Sequence, residues 1–243
     1  MPETAPRVTV VVPTYNERDN LPRLAAALDE SPLPNLHLLV VDDDSPDGTG
    51  EVAEELAGRL SIGVGVLHRK EKNGLGRAYI DGMRRALDEG ADIVVQMDAD
   101  LSHPTGALPE MIDVLATTDA AVVLGSRYVP GGSVADEWAW HRKLLSRGAN
   151  RYVDSILRLG VKDATAGFKA WRAETLRAIG LDSIESNGYS FQVEMNHRVV
   201  QQGMRIAEVP IRFEERTDGD SKMTLAVQWE SATMPWRLRF GRN

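Results

Sequence analysis

Two carboxylates one residue apart, Asp98 and Asp100, close the run Val94-Val95-Gln96-Met97-Asp98-Ala99-Asp100-Leu101-Ser102-His103-Pro104. The β-branched valines followed by acidic residues and a His-Pro pair read as a buried strand ending in an acidic loop. In extended chain the side chains at i and i+2 leave the same face, so the two carboxylates are expected to converge. Like charges held close together disfavour joint ionisation and need a positive partner. A hard divalent cation, Mg2+ or Mn2+, meets that need while keeping several waters and sharing its remaining positions with phosphate oxygens. The bland alternative is a surface turn capping the helix after Pro104, and the neighbouring loops decide between them.

The elements that must position this pair follow from periodicity. Strands are predicted over Val8 to Val12, Leu36 to Val41, Ile62 to Leu67 and Ala120 to Leu124, besides the central Val94 run. Between them, helices are predicted over Leu21 to Leu28 (capped by Asn20, with Pro22 in its first turn), Glu51 to Leu60, Arg77 to Leu87 and Leu108 to Leu115. Strict alternation of this kind implies right-handed βαβ units and a mostly parallel central sheet flanked by helices, an α/β fold. Ligands of such sheets bind beyond the carboxyl ends of the strands. The polar groups all fall there: Thr14 to Glu17, Asp42 to Asp44, Asp98 to Asp100, and Arg127.

Past Pro130-Gly131-Gly132 the pattern changes. Residues 138 to 159 interleave Trp138, Trp140, Leu144, Leu145 and Tyr152 with Arg142, Lys143, Arg147, Arg151 and Arg158. Such a helix suits either an anionic membrane surface or packing on the sheet with a solvated basic face. Asp163 to Lys169 reads as a loop, Ala173 to Ile179 and Tyr189 to Gln201 as helices, and Ile206 to Phe213 as an edge strand containing Pro210. Glu214 to Met223 is a polar loop suited to moving over a ligand. The expected organisation is one catalytic domain over residues 1–224 and a C-terminal tail over 225–243 that touches a membrane or a partner.

Composition narrows the classes. At 243 residues, with 42% hydrophobic and 26% charged side chains, the chain can bury a large core. A net charge of -8 argues against a nucleic-acid partner, since affinity there rests on neutralising phosphates. With no cysteine, thiolate nucleophiles, disulfides and Cys-containing zinc sites are excluded. The apolar stretches fall short of the eighteen or so residues that a membrane span needs, so a cytoplasmic protein in peripheral contact with the membrane is expected. Dinucleotide binding is disfavoured because the turn after the first strand, Pro13-Thr-Tyr-Asn-Glu17, contains no glycine. Arginine pairs bidentately with phosphate oxygens, which makes Arg127 and Arg216 candidate clamps for a metal-bound diphosphate.

The ordered motifs carry a resemblance. Val10-Val-Val-Pro-Thr-Tyr-Asn-Glu-Arg-Asp-Asn-Leu21, Val40-Val-Asp-Asp-Asp-Ser-Pro-Asp-Gly-Thr49 and Met97-Asp-Ala-Asp-Leu-Ser-His-Pro104 resemble the family 2 inverting glycosyltransferases. Asn73-Gly-Leu-Gly-Arg-Ala78, Gly125-Ser-Arg-Tyr-Val-Pro-Gly-Gly132, Arg147-Gly-Ala-Asn150, Ala164-Thr-Ala-Gly-Phe-Lys169, Asn187-Gly-Tyr-Ser-Phe-Gln192 and Asp220-Ser-Lys222 are similar, more narrowly, to its polyprenol (dolichol) phosphate mannose synthases.

The resemblance implies a GT-A-type nucleotide-sugar-binding fold, GDP-mannose as donor and a polyprenyl monophosphate as acceptor. It implies nucleotide contacts at Pro13, Tyr15, Glu17, Val41 and Asp43, and a metal and diphosphate motif at Asp98, Ala99 and Asp100. Arg127, Arg216 and Lys222 match donor-phosphate and closing-loop positions, while Arg142 and Arg147 match acceptor-phosphate contacts. Ser102 stands where some members carry a metal-binding Gln, which leaves a third protein ligand open. A phosphate monoester already carries about -1.5 to -2 charges at neutral pH, so no general base is expected. Another donor such as UDP-glucose, or a non-catalytic nucleotide-sugar scaffold, are the alternatives.

Overall fold

Runs of valine and leucine build the centre of the sheet. The computed structural model describes residues 5–184, 186, 188–214 and 225–241. Strands β1 (Val8–Thr14), β2 (Leu36–Asp42), β3 (Gly63–His68) and β4 (Ile93–Gln96) are joined by helices α1 (Leu21–Asp29), α2 (Thr49–Leu56) and α3 (Leu75–Asp88). After α4 (Leu108–Thr117) come β5 (Ala120–Ser126), the two-residue β6 (Ser133–Val134) and α5 (Trp140–Leu157). The chain closes with β7 (Lys169–Arg172), α6 (Ala173–Ala178), α7 (Gly188–Gln201), β8 (Arg205–Pro210), β9 (Arg212–Phe213) and α8 (Leu225–Phe240).

The main sheet has seven strands in the order β3-β2-β1-β4-β7-β5-β8. All its neighbouring pairs are parallel except those made by β7, which runs antiparallel to both β4 and β5. Both faces of each central strand are buried, which is why these strands read as continuous apolar runs. The alternation survives within them: Val10, Val12, Leu38, Val40 and Val95 pack with α1, α2 and α4, whereas Val11, Leu39, Val41 and Val94 pack with α3 and α7.

Differences from the sequence reading have local causes. Helix α2 starts at Thr49 and stops at Leu56, because Asp47 takes the Thr49 amide (3.0 Å) and hydroxyl (2.6 Å) and fixes the start of the turn. Asn20 makes no capping bond to α1; its side-chain amide donates to Glu17 instead. The predicted last strand is broken at Ile211, so β8 forms the sheet edge with Pro210 at its end, and β9 pairs with β6 in a separate ribbon. Strand β7 was not predicted at all. Its four residues, Lys-Ala-Trp-Arg, lack β-branching and begin with a lysine, yet Lys169, Ala170 and Trp171 are wholly buried. The stretch expected as a C-terminal tail forms α8, which packs on α5 and α7 and places Met234 in the core. Tyr152 of α5 donates to the Ala232 carbonyl (2.7 Å) and accepts from Trp236 Nε1 (2.8 Å).

One close approach brings α3 onto the sheet. A Cβ added at Gly82 would lie 2.7 Å from Val41 Cγ2 and nearer still to Val11 Cγ1. Only glycine lets α3 sit this low, and α3 carries Tyr79 toward the end of β4. Gly82→Ala is therefore expected to destabilise the fold by about 1–3 kcal/mol through overpacking. The urea unfolding midpoint reads this, and an unchanged midpoint would mean that α3 rises without cost.

Candidate active site

Strands β2, β1 and β4 are adjacent and parallel, so their carboxyl ends open onto one edge. The antiparallel β7 adds its amino end to that edge, since Lys169 pairs with Gln96 of β4 and with Leu124 of β5. The loop Asp163–Phe168 thus arrives beside the ends of β4 and β5.

Asp98 and Asp100 lie past the end of β4, and Asp100 sits in a bend over 99–101 with Leu101 at φ 62°. Simple strand alternation therefore does not align them. Their common neighbour is Tyr79, whose buried hydroxyl donates to Asp98 Oδ1 at 2.7 Å. Burial first, then the charges of Asp98 and Asp100, push the Tyr79 phenol well above its ordinary pKa, so it stays protonated and remains a donor. Asp100 Oδ1 accepts from the Ser102 amide (3.1 Å) and hydroxyl (2.5 Å). Ser102, at the position weighed as a third metal ligand, is thus engaged in orienting Asp100. His103 Nδ1 accepts from the Asp98 amide (3.1 Å), its ring stacked on Phe168.

The donor set suits a hard cation. Asp98 Oδ2 faces Gly167, where even an added Cβ would lie only 3.6 Å away. Carboxylate oxygens oriented by hydrogen bonds match Mg2+ or Mn2+ chemistry. Among the described residues no cluster of three His, Asp or Glu side chains forms, so water and phosphate oxygens would complete the coordination.

The predicted nucleotide residues gather around β1 and β2. Pro13 pairs with Val41 in register, and the Asp43 amide donates to the Thr14 carbonyl at 3.0 Å. Tyr15 is exposed, with Lys72 Nζ 3.4 Å above its ring, and the Glu17 amide donates to Thr49 Oγ1 at 3.0 Å. Ala99 is buried between the two aspartates. Burial raises the Asp43 pKa, and Arg69, which pairs with Asp43, Asp81 and Asn73, works in the opposite direction. Asp42 is structural: its carboxylate accepts from Thr14, and from the Ser45 hydroxyl and amide.

Arg127, expected as a phosphate clamp, has two of its nitrogens engaged within the protein. Its Nε and Nη2 grip Asp163 at 2.7 and 2.6 Å, Nη2 also reaches Thr165 at 2.9 Å, and Asp163 is wholly buried. The guanidinium lies 5.3 Å from the Tyr128 ring and 5.4 Å from Phe213. Arg147 approaches the same Tyr128 ring at 5.7 Å. Arg142 stacks at 3.8 Å on Trp138, which in turn meets Phe213 edge-on. Aromatic rings thus link all three arginines. Arg216 and Lys222 lie outside the described residues.

The sequence reading missed Tyr79, Arg69 and Asp163 as site residues. Tyr79 occupies an apolar helical position that reads as core, and nothing local marks Asp163 as the partner of Arg127, 36 residues earlier. Arg69 was visible only as part of a basic loop.

The sequence profile described as "Glycosyl transferase family 2" matches residues 9–180. An undecaprenyl-phosphate mannosyltransferase of Micrococcus luteus is 47% identical over 93% of this chain and 90% of its own. A polyprenol monophosphomannose synthase of Mycolicibacterium smegmatis is 45% identical over 90% of this chain and 81% of its own. The crystal structure of glucosyl-3-phosphoglycerate synthase from Mycobacterium tuberculosis with Mn2+, uridine-diphosphate and phosphoglyceric acid superposes with a TM-score of 0.74 at 17% identity, covering 98% of this chain and 80% of that one. That likeness places the fold among the GT-A nucleotide-sugar-binding folds.

Removing one member of a buried ion pair strands the other. Asp163→Ala is expected to lower stability by about 3–5 kcal/mol, measured by urea denaturation. A loss below about 1 kcal/mol would mean that water readily solvates Arg127.

Proposed function

The chain belongs to glycosyl transferase family 2, and from that premise we propose that it transfers mannose from GDP-mannose to a polyprenyl monophosphate, giving polyprenyl phosphate β-mannose and GDP. The observation that carries this reading is the identity of nearly half, along almost the whole chain, to an undecaprenyl-phosphate mannosyltransferase.

Asp98 and Asp100 hold a Mg2+ or Mn2+ ion, with Ala99 between them at the diphosphate. When bound, that ion supplies electrostatic stabilisation of the negative charge that grows on the departing diphosphate. Pro13, Tyr15, Glu17, Val41 and Asp43 receive the nucleotide, on the far side of the carboxylates from β5. Arg127, with its charge balanced by Asp163, acts at the donor phosphates chiefly by orientation, and Arg216 and Lys222, outside the described residues, are the further candidates for the donor phosphates. Arg142 and Arg147 receive the acceptor phosphate. An acceptor oxygen attacks the anomeric carbon in line as the bond to GDP breaks, which inverts the configuration. The nucleophile is already ionised, so no side chain has to remove a proton from it. Catalysis rests on positioning and electrostatics.

The lipid acceptor requires access to a bilayer. No helix among the described residues is long and apolar enough to cross a membrane. Helix α5 instead exposes Trp140 (75%), Leu144 (64%) and Leu145 (67%) beside Arg142, Arg147 and Arg151. Exposed apolar side chains interleaved with arginines on one helix fit peripheral attachment to an anionic membrane.

Asp100→Ala is expected to reduce mannose transfer at least about 100-fold and to weaken Mn2+ binding in a paramagnetic titration, with the protein still folded. Full activity would refute the metal assignment. Combining Trp140→Ser, Leu144→Ser and Leu145→Ser should cut binding to phosphatidylglycerol vesicles at least about tenfold, since each buried side chain contributes about 1.5–3 kcal/mol. Unchanged co-sedimentation would remove α5 as the attachment face.

A further inference from the structure

Lys169 is a fully buried lysine with no place in the reaction above. Its Nζ donates to the Gln192 carbonyl and to Asn196 Oδ1, both at 2.9 Å, and so ties β7 to α7. Burial lowers its pKa well below the ordinary lysine value, while nearby Asp163 acts in the opposite sense. Protonated or neutral, the amine remains a donor to both partners. A lysine nitrogen facing Oδ1 leaves Nδ2 of the same amide to donate elsewhere, and it reaches the Ala164 carbonyl at 2.9 Å. Asn196 is wholly buried as well. The Ala164 carbonyl, which can only accept, sets the orientation of this amide and leaves Oδ1 for the Lys169 amine.

Ala164 lies in the middle of the loop that serves both halves of the site. On one side of it, Asp163 accepts the backbone amide, Nε and Nη2 of Arg127. On the other, Gly167 borders Asp98 Oδ2 and the His103 ring. Two further ties hold the same loop: the Thr165 amide donates to buried Asn150 Oδ1 of α5 at 3.1 Å, and the Asp163 amide donates to Glu208 Oε1 of β8 at 3.0 Å. Of these anchors, the Lys169–Asn196 pair is the one buried throughout.

Resting on the role given to Arg127 above, we propose that Lys169 and Asn196 are positioning residues: they fix the Asp163–Gly167 loop so that Asp163 aims Arg127 at the donor phosphates. Neither needs to touch substrate. Their effect passes through Asp163, so it depends on an arginine being present at position 127.

A double-mutant cycle tests this. Asn196→Asp keeps an oxygen for Lys169 and removes the donor to Ala164. In the full-length protein, with GDP-mannose and a short polyprenyl phosphate, it is expected to lower kcat/KM about tenfold, the effect of losing one buried hydrogen bond. In an Arg127→Gln background the same substitution should cost less than about twofold, because coupled residues are not additive. Calorimetric titration with GDP in the presence of Mn2+ should repeat the pattern without turnover. An equal loss in both backgrounds, or no loss in either, overturns the proposal and leaves the arginine's role standing. Full transfer by Arg127→Gln alone overturns the arginine's role and the link with it. Should Asn196→Asp fail to fold, Asn196→Ser, whose shorter side chain loses the bond to the Ala164 carbonyl, enters the same cycle with the same criteria.

Discussion

The arrangement depends on holding two carboxylates, Asp98 and Asp100, at the rim of a sheet, where both act on the Tyr79 hydroxyl. Charges of one sign repel, and water screens that repulsion less at a partly dry rim. The fold answers with neutral donors: the Tyr79 hydroxyl on one oxygen of Asp98, and the amide and hydroxyl of Ser102 on one oxygen of Asp100. Neutral donors orient the oxygens without cancelling the charge, so the pair keeps its attraction for a cation. A lysine at position 79 or 102 would also relieve the repulsion, but it would replace the ion. Much of the framework serves this arrangement. Helix α3 must lie low on the sheet for Tyr79 to reach, Gly82 permits that, and the Tyr79 ring is held parallel to Phe191 of α7.

The second half of the site uses the opposite strategy. Arg127 and Asp163 form an ion pair that is nearly dry, in which breaking either partner is costly, although such a pair adds little net stability over an apolar pair. Its value is geometric: a guanidinium held on two nitrogens has one orientation. The antiparallel β7 makes this possible. A parallel strand at that place would have put its amino-terminal loop on the far edge of the sheet, away from β5. Running backwards, β7 delivers Asp163 and Gly167 to the edge where Arg127 and Asp98 already are.

What could be read from the sequence divides along the same line. Strands β1, β2, β4 and β5 and their helices were legible because an apolar run followed by a helical period is a local signal. The pair Asp98 and Asp100 was singled out on strand alternation, whereas both lie beyond the end of β4 and Asp100 sits in a bend. Strand β7 was illegible because its first residue is a lysine buried by partners on α7, over 20 residues away. The ties of Asp163 to Arg127 and Asn196 to Ala164 are likewise long-range, and each residue on its own reads as an ordinary polar loop or helix position. The acidic run Asp42 to Asp47 has partners within the fold. Asp42 and Asp47 tie down turns, and Asp43 is paired with Arg69.

Helix α5 joins the chemistry to the surface. Its buried positions, Asn150, Val153, Ile156 and Leu157, all lie in its second half, so its first half projects beyond the core. Trp140, Leu144 and Arg147 share one face there at a spacing of four and three residues. The same short stretch therefore carries the apolar side chains proposed to enter a bilayer and the arginines proposed to hold the acceptor phosphate. An amphipathic lipid makes that combination economical. Its phosphate sits at the headgroup level while its chain stays in the hydrocarbon, so a helix lying at that level meets the phosphate without drawing the prenyl chain into water. Arg147 and Arg127 flank one tyrosine ring, which places the proposed acceptor end next to the donor end. In the proposed arrangement, a lipid phosphate delivered in the plane of the membrane leaves the protein only the nucleotide sugar to supply, from the side of β1 and β2, and β4 with its carboxylates stands between those strands and β5.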